Sequence, residues 1–174
     1  LLAEGIGAGI VPPPLIHLLI GGEALTVSVV EAFTGKYREA GLTVPDITNI
    51  YGPTECCVDS ACYHIGGGSL DHSSADIVSI GAPMPNQQIY ILSGGLQLQP
   101  VGIAGELCIA GAQVGRGYLN NPRLTAEKYL DIDVSRLFMR TSANPAPFKE
   151  KTATTKVTVY WTGDLARWLP DGNI

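Results

Sequence analysis

Hydrophobic and polar positions alternate in two different rhythms along this chain. In the first third, the apolar run Leu15-Ile16-His17-Leu18-Leu19-Ile20 is broken by Gly21-Gly22 and reads as a short buried strand. Thr26 is placed to cap a helix on which Val30, Phe33, Tyr37 and Ala40 recur at helical spacing, and Gly41 closes it. Val44-Pro45-Asp46 then leads into a second strand, Ile47 to Tyr51, and Val58 to Ile65 is a candidate third. A strand–helix–strand crossover of this length predicts parallel, right-handed pairing of the two strands. Gly66-Gly67-Gly68, with Asp71-His72-Ser73-Ser74 behind it, marks the end of this part.

From Ile77 the rhythm changes to short strands separated by glycine turns: Gln88 to Leu92, Gly105 to Ala110, Val157 to Trp161 and Ala166 to Leu169. One helix interrupts them, capped by Asn121 or Thr125 and carrying Pro122 in its first turn. Residues 131–157 lack periodicity, are rich in Thr, Ser, Pro and Lys, and read as a long surface loop. The predicted fold class is therefore α/β: a partial parallel-sheet subdomain over residues 1–75, followed by a small antiparallel β-barrel-like subdomain over 76–174. There is no internal repeat.

Composition sharpens this picture. With 174 residues, 45% of them hydrophobic and 16% charged, the chain is a packed globular body and not a disordered tail. A formal charge of −5 and the lack of a Lys/Arg stripe argue against a nucleic-acid surface. No apolar run is long enough for a membrane span. Leu1-Leu2-Ala3-Glu4-Gly5 has neither the basic region nor the cleavage site of a signal peptide. The cysteines, Cys56, Cys57, Cys62 and Cys108, lack zinc-ligand spacing and read as buried reduced thiols, which fits a cytoplasmic compartment. His17, His64 and His72 are scattered and read as surface or satisfied core residues.

The most chemically loaded stretch is Asn49-Ile50-Tyr51-Gly52-Pro53-Thr54-Glu55. It ends a strand with an aromatic ring able to stack on a base, a forced turn, a hydroxyl able to bond a phosphate oxygen, and a carboxylate able to hold Mg²⁺. Gly21-Gly22-Glu23-Ala24 also follows the carboxyl end of a predicted parallel strand. Both turns thus lie on the sheet edge where open α/β sheets bind ligands. Thr162-Gly163-Asp164-Leu165 is a weaker signal and reads by itself as a surface turn: a glycine permits close approach of the backbone, and the carboxylate can accept both hydroxyls of a ribose. A third stretch, Gly105 to Leu119, reads by itself as a barrel hairpin with glycine corners.

Taken in order and spacing, Asn49 to Glu55, Gly105-Glu106-Leu107 through Arg116-Gly117-Tyr118-Leu119, and Tyr160-Trp161-Thr162-Gly163-Asp164-Leu165 resemble the adenylate-forming superfamily. Within it they are most similar to the amino-acid adenylation domains of nonribosomal peptide synthetases. Gly22-Glu23-Ala24 and the string Gly163 to Asn173 fit the same subgroup.

The resemblance implies an ATP- and Mg²⁺-dependent reaction. A substrate carboxylate attacks the α-phosphate, pyrophosphate leaves, an aminoacyl-adenylate forms, and the aminoacyl group passes to a phosphopantetheine thiol as AMP departs. It assigns Tyr51 to the adenine face, Asn49 to the adenine edge, Thr54 to an α-phosphate oxygen, Glu55 to Mg²⁺ and Asp164 to the ribose. Gly22, Glu23, Ala24 and Gly52 bring backbone close to the nucleotide. Leu19, Gly21, Ile50, Val58 and Asp59 line the amino-acid pocket. A carboxylate buried in an apolar pocket needs a partner, so Asp59 points to a basic amino-acid substrate. A polar neutral side chain bonded to Asp59, or water facing it, is the alternative. Peptidyl carrier and condensation domains are the implied partners.

The sequence also departs from the family pattern. Its Ser/Thr/Gly-rich phosphate loop, the aspartate that anchors the substrate amine, and the catalytic lysine of the small C-terminal domain are not in this chain, so the chain by itself is expected to be inactive. Trp161 stands where the family has Lys or Arg, and Gln113 and Gly115 stand for Gly and Ala. An acyl- or aryl-acid-activating ligase of the same superfamily, and a non-catalytic binding module on the same fold, remain as alternative readings.

Overall fold

The computed structural model of the protein describes residues 12–70, 76–133 and 156–174. Leu1 to Gly5, Asp71-His72-Ser73-Ser74 and most of the 131–157 segment lie outside the described residues. The chain divides into two compact units. The first takes the described residues of Leu1–Gly52, Ala61–Ala82 and Gly172–Ile174, and the second those of Pro53–Ser60 and Pro83–Asp171.

In the first unit, strand β1 (His17–Gly21) pairs in parallel with β2 (Asp46–Tyr51), and helix α1 (Val27–Glu39) lies between them in sequence. Thr26 caps α1 by accepting from the Val29 N–H, and Lys36 and Arg38 in the last turn suit the negative end of its dipole. Of the helix stripe predicted from spacing, Val30, Phe33 and Tyr37 are buried and pack with Leu25, Ile47, Ile65 and Val78, while Ala40 is the exposed C-cap residue. Strand β3 (Ala61–Ile65) runs antiparallel to β2, so the sheet is mixed, and β4 (Ala82–Pro83) ends the order β1-β2-β3-β4. The last residues return to this unit: the Ile174 N–H donates to the Gly81 carbonyl at 2.9 Å, and Ser79 Oγ donates to the Ile174 carbonyl at 2.7 Å.

One expectation fails here. Among the described residues β1 is an edge strand, and it is not buried. Leu18 and Ile20 face the core, while His17, Leu19 and Gly21 are exposed, and Ile16 before them is 89% exposed. An apolar run without alternation does not reveal that only one of its faces is covered.

The second unit is an antiparallel sheet in the order β5-β6-β8-β7, formed by β5 (Gln87–Leu92), β6 (Gly105–Gly111), β7 (Tyr129–Asp133) and β8 (Lys156–Ala166). Its core gathers Leu92, Cys108, Ala110, Ile132 and Val159. Helix α2 (Pro122–Lys128) begins where expected, with Asn121 Oδ1 accepting from the Leu124 N–H.

The polar segment predicted as one loop over 131–157 is strand at both ends, because Ile132 fills a core position and Lys156 opens β8. β8 is one eleven-residue strand, and Arg167 to Leu169 carry no strand. Among the described residues, no helix is long and apolar enough to cross a membrane.

Candidate functional site

Each unit presents a different set of the predicted site residues. In the first, the register sets Gly21 against Ile50 and Leu19 against Thr48. A Cβ at Gly21 would come within 2.6 Å of Ile50 Cγ1 and 2.8 Å of the Ile50 carbonyl, so only glycine fits this strand end. Leu19 is 64% exposed and Ile50 half-buried. Gly22, Glu23 and Ala24 form an exposed turn in which Gly22 takes φ +95°.

Asn49 is placed differently from an open ligand contact. It is 2% exposed, and its Nδ2 donates to the Ser79 carbonyl at 2.9 Å, which ties β2 to the segment after the described gap. Strand alternation puts Asn49 and Tyr51 on the face opposite Ile50.

The same alternation gathers two histidines that the sequence leaves scattered. His17 Nε2 lies 2.8 Å from Thr48 Oγ1, His64 Nδ1 lies 3.3 Å from the same hydroxyl, and the two rings stand 5.7 Å apart.

In the second unit, Thr54–Cys56 forms a 3₁₀ turn that begins straight after Pro53. The Pro53 carbonyl accepts from the Cys56 N–H at 2.9 Å and the Val58 N–H at 3.2 Å. Thr54 is exposed and Glu55 half-buried. The Tyr118 hydroxyl donates to Glu55 Oε1 at 2.6 Å and lies 3.2 Å from the Tyr160 hydroxyl. The Glu55 carbonyl accepts from the Gly115 N–H at 2.7 Å. The Tyr118 bond is the main reason the Glu55 carboxyl lies below its ordinary value. Partial burial opposes it, and a backbone N–H, Tyr160 and the Lys128 charge assist. Burial, together with the Glu55 bond, pushes the Tyr118 hydroxyl up, and Tyr160 moves the same way, chiefly through burial. Glu55 is thus ionised at neutral pH and faces protonated phenols.

Tyr118, Tyr160 and Lys128 were not singled out as site residues from sequence. The Gly105–Leu119 stretch reads as a structural hairpin, and nothing in its spacing tells that Tyr118 ends beside Glu55. Gly117 makes that possible: it takes φ +127°, a Cβ there would meet Thr125 Cγ2 at 2.4 Å, and the Tyr118 N–H donates to Thr125 Oγ1 at 2.9 Å.

The Thr162-Gly163-Asp164 segment is not a turn between strands. It lies inside β8 at a bulge: Cys108 pairs with Trp161 and Glu106 with Leu165, which leaves Thr162, Gly163 and Asp164 against Leu107 alone. Thr162 Oγ1 donates to the Leu107 carbonyl at 2.8 Å and accepts from the Asp164 N–H at 3.0 Å, and the Gly163 N–H donates to Glu106 Oε1 at 2.5 Å. Asp164 is exposed. A Cβ at Gly163 would stand 3.8 Å from the Lys128 ammonium.

The predicted pocket pair Val58 and Asp59 directly follows the Glu55 turn. Cys57 adopts the left-handed region (φ 57°, ψ 40°) and Val58 takes φ 75°, a conformation that costs a β-branched residue about 1–3 kcal/mol. The Asp59 N–H donates to the Cys57 carbonyl at 2.9 Å, closing a γ-turn. Val58 is 60% exposed, and Asp59 is half-buried, not fully enclosed as expected.

All four cysteines are free thiols, but only Cys56 and Cys108 are buried; Cys57 is exposed. Burial above all pushes the Cys56 and Cys108 thiols up to about 12, so neither is a nucleophile.

Residues 10–119 match the profile of the AMP-binding enzymes. The chain belongs to the AMP-binding enzyme family. It is 44% identical over 158 residues to bacitracin synthase 1 of Bacillus licheniformis, covering 91% of this chain and 2% of that protein. It is 42% identical over 160 residues to surfactin synthase subunit 1 of Bacillus subtilis (strain 168), covering 92% of this chain and 4% of that one. Among solved structures it resembles NpsA-ThdA, an artificially fused adenylation–PCP di-domain nonribosomal peptide synthetase from Klebsiella oxytoca. That likeness has a TM-score of 0.66 at 28% identity and covers 91% of this chain and 24% of the other. The N-terminal subdomain of Klebsiella oxytoca NpsA in complex with 3-hydroxybenzoyl-AMSN matches with a TM-score of 0.65 at 29% identity, covering 91% and 34%. The chain thus spans only a few per cent of the synthetases it matches and a quarter to a third of the solved chains.

Proposed function

We propose that this chain forms part of an amino-acid-activating domain of a nonribosomal peptide synthetase, which condenses an amino acid with ATP to an aminoacyl-adenylate. The domain then hands the aminoacyl group to the phosphopantetheine thiol of a carrier domain, with a condensation domain as a further partner. The observation that carries this reading is Glu55: an ionised carboxylate on the turn after Tyr51-Gly52-Pro53, held in place by the Tyr118 hydroxyl.

A single fixed carboxylate suits Mg²⁺, which keeps several waters and takes its other ligands from substrate phosphates. Glu55 is the residue we assign to it. Magnesium, when bound, neutralises the phosphate charge that builds up as pyrophosphate leaves. Thr54 donates to an α-phosphate oxygen, Tyr51 stacks on adenine and Asp164 holds the ribose hydroxyls. Asn49, buried and bonded to the Ser79 carbonyl, braces the strand beside Tyr51 in place of the adenine contact expected of it. Gly22, Glu23, Ala24 and Gly52 supply backbone near the nucleotide, and Leu19, Gly21, Ile50, Val58 and Asp59 line the side-chain pocket. Asp59, half-exposed in this chain, pairs with a cationic substrate side chain in this reading, so the substrate is a basic amino acid.

The reading is tested by amino-acid-dependent exchange of pyrophosphate into ATP, using the complete adenylation domain that contains this sequence. Glu55→Gln is expected to lower exchange by roughly a hundredfold or more. A basic amino acid is expected to be preferred, with the preference lost in Asp59→Ala. Exchange with an aliphatic amino acid, unchanged in Asp59→Ala, would sink the substrate assignment. This chain alone is expected to give no exchange, since it contains neither the phosphate loop nor the lysine.

One observation favours a second reading. The solved NpsA subdomain carries a 3-hydroxybenzoyl ligand, which is consistent with an aryl-acid substrate on this scaffold. Exchange that depends on an aryl acid and ignores amino acids would select that reading.

A further inference from the structure

The γ-turn that carries Val58 and Asp59 needs something to hold it, because its backbone is strained at two successive non-glycine residues. Its own bonds, Asp59 N–H to the Cys57 carbonyl and Val58 N–H to the Pro53 carbonyl, stay within the segment. Two bonds reach it from elsewhere in the same unit, one from Met84 ahead of β5 and one from β5 itself. The Met84 N–H donates to the Ser60 carbonyl at 3.0 Å. The Gln87 side chain donates from Nε2 to the Asp59 carbonyl at 2.8 Å, and that same Nε2 also bonds Gln113 Oε1.

Gln87 is an unusual choice for a strand position only 8% exposed. Its Oε1 is buried and, among the described residues, without a partner. A buried amide with one unpaired end carries a desolvation cost that an apolar side chain of the same size would not. Stability alone therefore does not account for Gln87. Its geometry does: a backbone carbonyl only accepts, so its bond to Asp59 dictates which way the Gln87 amide faces, and Gln113 holds the amide there.

We infer that Gln87, oriented by Gln113, is a positioning residue that sets amino-acid selection by fixing the Asp59 carbonyl and with it the directions of the Val58 and Asp59 side chains. This rests on the proposal that Val58 and Asp59 line the amino-acid pocket. Neither glutamine touches substrate in this scheme; both act through the turn.

The experiment uses the complete adenylation domain that contains this sequence. It measures the amino-acid KM, the ATP KM and the relative exchange rates over a panel of basic, polar and aliphatic amino acids. Gln87→Leu is expected to raise the amino-acid KM about tenfold, the scale of one lost hydrogen bond, and to level the panel. The ATP KM should stay within about twofold. Gln113→Gly is expected to act in the same direction but more weakly, and it carries the test if Gln87→Leu does not fold. Asp59→Asn is the control for the pocket itself.

If Asp59→Asn shifts the preference while the glutamine variants leave it untouched, the positioning role is overturned and the pocket reading stands. If none of the three shifts it, the pocket reading fails and takes the positioning role with it. Equal rises in both KM values, with a lower melting temperature, would make Gln87 a structural residue and also overturn the inference.

Discussion

The strand end of the first unit and the carboxylate turn of the second are held by opposite means. At Gly21 the constraint is steric: β1 lies so close to β2 that a single added carbon would collide with the Ile50 side chain and carbonyl. At Glu55 the constraint is polar, made of the Tyr118 hydroxyl, the Gly115 N–H and the neighbouring Tyr160. Close packing is unforgiving, because interiors have little free volume to yield. A hydrogen-bonded carboxylate that is half-exposed gives way gradually, since water can replace a lost partner. The first end fixes shape, and the second sets charge.

The sharpest way to break this contrast is Gly21→Val. It should destabilise the chain by about 2–3 kcal/mol through overpacking against Ile50, read as a lower urea midpoint with an unchanged slope. A silent substitution would show that the strand end yields.

Tyr118→Phe should cost less, roughly 1 kcal/mol, because it removes one hydrogen bond to a partly solvated carboxylate. It should also raise the Glu55 carboxyl toward its ordinary value near 4.5, measured by carbon-13 NMR titration. A Glu55 that titrates identically in this variant would remove Tyr118 from its role.

The pH dependence sharpens the polar side further. The Glu55 value is lowered in the folded chain, so its contribution to stability is fully present above the ordinary carboxylate value and is lost as pH falls through the lowered one. The stability gap between the parent chain and Tyr118→Phe should therefore be widest near neutrality and close in acid. A gap that widened below about pH 4 would contradict it.

The smallest effect has the opposite sign. Cys57→Gly relieves a left-handed residue (φ 57°, ψ 40°) and should stabilise by about 0.5 kcal/mol, the rest being offset by glycine entropy in the unfolded chain.

Much of this was legible in the chain. The period of Val30, Phe33 and Tyr37, the cap at Thr26 and the parallel pairing around α1 follow from local rules of spacing and capping, and the structure keeps them. Asn121 and Pro122 announced α2 in the same way. Burial was harder to read. The run around Leu19 read as a buried strand, but among the described residues one of its faces is open, and Asp59 looked enclosed but is half-exposed. Burial depends on which elements come to lie against a residue, and no residue encodes that alone. The Thr162-Gly163-Asp164 segment misled for a related reason: glycine beside polar residues signals a turn, but pairing with β6 on both sides drew it into a bulge.

The sequence by itself determined the motifs, the helices with their caps, the change from α/β to antiparallel rhythm, and the family. Each of these is written in residues close together in the chain or in a fixed order of short motifs. Only the tertiary structure decided that Tyr118 meets Glu55 across 63 positions, that Thr48 joins two scattered histidines, and that Gln87 grips the Asp59 carbonyl. Such pairings depend on strand register, which β-bulges and glycine geometry set jointly. That is why the residues that hold the candidate site in place were the ones its motifs did not contain.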